Sequence, residues 1–91
     1  MLQTISIVIS GKVQGVFFRQ SAREMAVSIG ITGTIKNLYD GSVEIVATGT
    51  KNQLNSFVEW CKKGPPNAIV AGVEVQDLSL QEFLHFTIIR F

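Results

Sequence analysis

The chain has 91 residues, 46% of them hydrophobic and 16% charged, with a formal charge of +1. That length suits one domain, residues 1–91, and that apolar content excludes a disordered chain. The balanced charge excludes a broad nucleic-acid footprint, the single cysteine excludes an intrachain disulfide, and no apolar run approaches the roughly 18 residues of a membrane span. The start, Met1-Leu-Gln-Thr4, lacks the basic residues of a secretory signal, and Ser6 and Ser10 interrupt the apolar stretch behind it, so a cytoplasmic protein is expected.

In chain order, Thr4 to Ser10 reads as a strand, with Ile5, Ile7 and Ile9 on one face and Thr4, Ser6, Val8 and Ser10 on the other. The loop Gly11-Lys-Val-Gln-Gly15 follows. From Phe18 the period changes: Phe18, Ala22, Met25, Ala26 and Ile29 form one apolar stripe of a helix that Gly30 ends. Ile31 to Asn37 and Ser42 to Thr48 alternate as two strands joined by the turn Leu38-Tyr-Asp-Gly41, an antiparallel hairpin. Thr50 and Gln53 have capping-box spacing, which starts a second helix near Lys51 with Leu54, Phe57, Val58 and Cys61 inward. Gly64-Pro65-Pro66 stops it, a strand spans Ala68 to Leu78, and Phe86 to Arg90 reads as a short last strand after the connection Ser79 to His85.

The order β-α-β-β-α-β with one extra strand predicts a ferredoxin-like α/β sandwich: an antiparallel sheet of order 4-1-3-2, the last strand at an edge, two helices on one face. So short a chain has no room for a cofactor domain. Any catalysis must rest on a few side chains, backbone groups and a helix end.

The junction from Gly11 to Arg19 is a candidate anion site. A first helical turn leaves backbone N–H groups without intrahelical partners, and Gly15 permits a loop that turns such amides toward one point. Arg19 lies in that turn, where a guanidinium fork suits phosphate oxygens. A glycine loop between strand and helix is also commonly just a turn. No Gly-Lys-Ser/Thr closes it, so it is not a nucleotide triphosphatase loop.

The stretch Ile9-x-Gly11-x-Val13-Gln14-Gly15-Val16-x-Phe18-Arg19 resembles the first signature of the acylphosphatase family. Gly33-Thr-Ile-Lys-Asn37-x-x-x-Gly41-x-Val43-x-x-x-x-x-Gly49 is similar to the second. Thr34 departs from the pattern, since the family often has a bulky, commonly aromatic residue there. The resemblance implies a metal-independent hydrolase without cofactor that cleaves a carboxylic–phosphoric anhydride. It implies that Arg19 and the amides of Gln14, Gly15, Val16, Phe17 and Phe18 bind the phosphoryl group and that Asn37 holds the attacking water. The partners implied are a small-molecule acyl phosphate and the product, inorganic phosphate, with no nucleic acid or membrane. A monomer is expected, an exposed sheet edge alone being no evidence of a dimer.

Other reactive residues read as structural. His85 lacks partners for a metal site or a nucleophilic relay, Cys61 falls on a buried stripe, and neither Asp40 nor Glu44 has a second carboxylate to work with. Lys62 and Lys63 read as a solvated helix end. Phe18 reads as core, while Phe17 and Trp60 stay unassigned. A pure phosphate binder is the rival reading. RNA binding ranks last, because Thr32, Thr34, Ser42, Glu44, Glu74 and Gln76 give the outer sheet face no aromatic platform.

Overall fold

Isoleucine alternation produces β1 (Gln3–Lys12) in a computed structural model that describes residues 1–90. Six elements follow: α1 (Phe18–Ile29), β2 (Thr32–Asn37), β3 (Val43–Gly49), α2 (Lys51–Lys63), β4 (Ile69–Leu78) and β5 (Phe86–Ile89). The sheet has the order β4-β1-β3-β2-β5, so the anticipated 4-1-3-2 arrangement holds and the last strand lies at an edge. Both helices pack on the face carrying Ile5, Ile7, Ile9, Ile35, Val43, Ile45 and Ala47, all buried. Phe18, Ala22 and Ala26 of α1 and Leu54, Phe57 and Cys61 of α2 close the core from the other side. Trp60, unassigned from sequence, stacks on Phe57 (centroids 6.2 Å apart, planes at 7°) and lies 5.5 Å from Phe18.

Two features go beyond the sequence pattern. The first is β5, which pairs parallel with β2, Gly33 opposite Phe86 through Lys36 opposite Ile89, so the sheet is mixed rather than wholly antiparallel. The direction follows from the pairings. β4 runs antiparallel to β1, β1 to β3 and β3 to β2, so β4 finishes at the end of the sheet where β2 begins. A chain that crosses there enters the far edge running the same way as β2. Phe86 anchors the new strand, buried edge-on against Phe57 with centroids 6.0 Å apart.

The second feature is the crossing itself. Thr4, placed on the outer face by its phase, is buried together with Thr48. Their hydroxyls hydrogen-bond each other at 2.7 Å, Thr48 Oγ1 donates to the Gln81 carbonyl at 2.7 Å, and the Gln81 N–H donates to Thr4 Oγ1 at 2.9 Å. The crossing segment covers these hydroxyls, and its own peptide satisfies them, as burial of polar groups requires.

Gly33 explains a glycine in a strand. At φ 150° its ideal Cβ would lie 1.9 Å from the Val46 carbonyl oxygen, which no side chain tolerates. Its neighbour Thr34 lies opposite Val46 and Thr87, half-buried on the face away from the helices, so the departure from the family pattern touches neither the core nor the Asn37 side of the strand. Among the described residues, no helix is long and apolar enough to cross a membrane.

Candidate active site

β1, β2 and β5 all run in one direction, so the loop after β1, the turn after β2 and Arg90 after β5 gather at one end of the sheet. The first of these leads into α1, whose start breaks the usual rules of helix construction. Its N-cap, Phe17, has φ 62° and ψ 25°, a left-handed conformation that a phenylalanine rarely adopts, and its side chain gives no cap. No acidic residue occupies the first turn, and the charge that does lie there is the cation of Arg19. The first backbone bond of the helix runs from the Ser21 N–H to the Phe17 carbonyl (3.0 Å), leaving the N–H groups of Phe18, Arg19 and Gln20 ahead of it without intrahelical partners.

The contrast with α2 gives this meaning. There Thr50 and Gln53 form both bonds of a capping box, and Lys62 and Lys63 close the last turn. A missing cap, an unfavourable charge at the dipole and a left-handed Phe17 together forgo on the order of 2–3 kcal/mol. Such local rule-breaking concentrates where a site must stay open for a ligand.

A cavity of about 310 Å³ lies over this helix start, lined by Val13, Gln14, Gly15, Phe17, Phe18, Arg19, Gln20, Asn37, Ile88 and Arg90. A wider cleft of about 670 Å³ is lined by Gln14, Arg19, Lys36, Asn37, Leu38, Tyr39, Ile89 and Arg90. Gln14, Arg19, Asn37 and Arg90 line both. The two residues expected to carry the chemistry, Arg19 and Asn37, therefore meet in one concavity. Of the loop residues, Gln14, Gly15, Phe17 and Phe18 line the smaller cavity, and Val16 is buried in the core outside its lining. Phe18 is buried as expected, whereas the Phe17 ring is largely exposed at the mouth. Gly15 has φ 74° with open space where a Cβ would stand, so the conformation rather than crowding favours glycine.

Asn37 ends β2 on the face of Ile35, toward the helices. Its turn is held from both sides. The Gln14 carboxamide donates to the Leu38 carbonyl (2.8 Å) and the Ser42 carbonyl (2.9 Å), tying the cradle loop to the turn. Gln14 was singled out for its backbone; its side chain does a second job that spacing could not show. Ser42, expected on the outer face, is buried, and its N–H and hydroxyl both donate to Asp40 Oδ1. These bonds hold the Asp40 carboxyl below its ordinary range. Replacing Gln14 by leucine is expected to cost about 1–2 kcal/mol in urea denaturation and to lower kcat by roughly tenfold or more, because the cradle loses its fixed distance to Asn37. Loss of stability without loss of kcat would show that the bridge is merely structural.

Arg90 is among the lining residues that sequence reasoning passed over. It read as the end of a strand, and the signal that marks it is the register: one step beyond the Lys36–Ile89 pair the chain brings Arg90 to the two clefts that Asn37 lines. Two ion pairs are found among the described residues, Lys36–Glu44 (3.7 Å) and Lys62–Glu59 (2.8 Å), and neither involves Arg19 or Arg90. Cys61 is buried beneath α2, and burial pushes its thiol up to about 12, so it holds its proton at neutral pH and is no nucleophile. The His85 side chain is exposed outside both clefts, while its carbonyl accepts from the Gly33 N–H at 3.0 Å. Among the described residues no three His, Cys, Asp or Glu side chains gather as a metal site.

Fold and cleft together define a two-layer α/β sandwich with a cationic, amide-edged cleft at the strand–helix end of the sheet. Residues 5–88 match the family model described as acylphosphatase. The chain is 49% identical over 86 residues to an acylphosphatase of Acaryochloris marina, covering 94% of this chain and 92% of that one. The crystal structure of acylphosphatase from Bacillus subtilis superposes with a TM-score of 0.93 at 40% identity, covering 99% of this chain and 100% of that one. An acylphosphatase from Coxiella burnetii gives a TM-score of 0.92 at 39% identity, over 96% and 92% of the two chains. The chain belongs to the acylphosphatase family.

Proposed function

We propose that this acylphosphatase hydrolyses the carboxyl–phosphate bond of small-molecule acyl phosphates by direct attack of a water held at Asn37 on a phosphoryl group held at Arg19. The observation that carries the reading is that both side chains line one cavity over the open N-terminus of α1. The phosphoryl oxygens lie against the first-turn amides and the Arg19 fork, which are fixed donors for the charge that builds on them in the transition state. Asn37 Oδ1 accepts a hydrogen bond from the water and turns a lone pair toward phosphorus. The water oxygen bonds to phosphorus as the bond to the acyl oxygen breaks. The electron pair leaves on the carboxylate, and the water's proton ends on the phosphate produced.

Sparse machinery is enough for this bond. The leaving group is a stable anion, so no general acid is needed, and alignment with charge stabilisation supplies most of what phosphoryl transfer asks. A monomeric, cytoplasmic enzyme that works without metal or cofactor completes the reading. Hydrolysis of benzoyl phosphate, followed with and without chelator, is the test. Multiple turnovers of equal rate in both are expected. Phosphate binding with no turnover would make the protein a binder instead.

A further inference from the structure

The wider cleft adds walls that the phosphoryl cavity lacks. Beside Arg19 and Asn37 it presents apolar walls from Leu38, Tyr39 and Ile89, and two further cations, Lys36 and Arg90. The smaller cavity already holds the first-turn residues suited to a phosphoryl group. The cleft of about 670 Å³ next to it is where the rest of an acyl phosphate must lie. Lys36 shares its charge with Glu44 at 3.7 Å, so of these two further cations Arg90 is the one that forms no ion pair among the described residues. Its position is built in by topology: β5 runs parallel to β2 and ends at Ile89, which leads Arg90 into the clefts that Asn37 lines.

We propose that Arg90 is a specificity-determining residue that favours acyl phosphates whose acyl group bears a second negative charge. This rests on the reading of the cleft as an acyl phosphate site. A neutral acyl chain gains from the Leu38, Tyr39 and Ile89 walls alone. An anionic one adds attraction to the Arg90 guanidinium, which borders both cavities but lies outside the first helical turn that carries the phosphoryl cradle. Arg90 is exposed, so the attraction is modest and weakens with salt.

The test compares a matched pair, 4-carboxybenzoyl phosphate and 4-methylbenzoyl phosphate, as the ratio of their kcat/KM values. For the unmodified enzyme at low ionic strength a ratio of roughly ten in favour of the carboxylate is expected, falling toward one as potassium chloride is added. Arg90→Gln should bring the ratio close to one at low salt, and Arg90→Lys should keep part of it. A ratio at or below one in the unmodified enzyme, or a ratio indifferent to salt, overturns the proposal whether or not the variants fold. An Arg90→Gln variant that loses the same factor on both substrates overturns it as well, by placing Arg90 on the shared phosphoryl group. If 4-methylbenzoyl phosphate is hydrolysed but the ratio fails, this inference alone is lost. If neither compound is hydrolysed, the reading of the site falls and takes the inference with it.

Discussion

Arg19→Ala is expected to lower kcat/KM for benzoyl phosphate by about a thousandfold or more and to abolish measurable inhibition by inorganic phosphate. The side chain stands in the first turn of α1, ahead of the Ser21–Phe17 bond that opens the helix, where the neighbouring amides lack intrahelical partners. A fixed donor aimed at transition-state charge is typically worth about 3–4 kcal/mol, and an arginine on a transferring phosphoryl group about 10³–10⁵ in rate. Arg19→Lys should recover the charge but not the two-pronged grip, and so fall between the two. Stability should move little or even rise, since a cation at a helix N-terminus opposes the dipole. Retention of activity within tenfold of the unmodified enzyme would falsify the assignment of the cradle.

Asn37→Ala is expected to separate binding from turnover. It should lower kcat by about 10²–10³ while KM and phosphate inhibition change by less than about threefold, the pattern of an interaction made only on the way to the transition state. Asn37 closes β2 through its backbone pairing with Val43, which alanine keeps, and the half-buried side chain adds little to folding. A drop in kcat accompanied by lost cooperativity in urea denaturation would point to a damaged turn rather than a misplaced water. Equal losses in kcat and phosphate affinity would place Asn37 on the phosphoryl group and end its role as water holder. The Gln14→Leu variant complements the pair, because Gln14 bonds the Leu38 and Ser42 carbonyls and so sets the spacing of loop and turn.

The stretch from Gly11 to Arg19 carried most of the site in readable form. Local chemistry marked it as a candidate anion site, with a glycine at the turn, amides ahead of the first helical bond and a guanidinium among them, and the resemblance of its motif supplied the phosphoryl-binding role. Phe17 was harder. Nothing in its side chain announces a left-handed N-cap, a conformation imposed by the loop as a whole rather than preferred by the residue. Asn37 shares the phase of Ile35, which puts it on the helix face, and the pairing of β2 with β3 keeps it there.

From sequence alone came the elements, their order, the two-helix face and the capping box. Each depends on interactions within a few residues or on a periodicity that a pleat or helical turn repeats. Tertiary structure alone decided the direction and partner of β5, the burial of Thr4 and Thr48 under the Gln81 peptide, and the bonds of the Gln14 carboxamide. Those pairings join segments far apart in the chain. Which edge a final strand takes depends on the free energy of the whole packed sheet and the route open to the connection, and no local pattern encodes that competition. Arg90 owes its place in the cleft to that choice, which is why it looked like the end of a strand until the fold led it into the cleft that Asn37 lines.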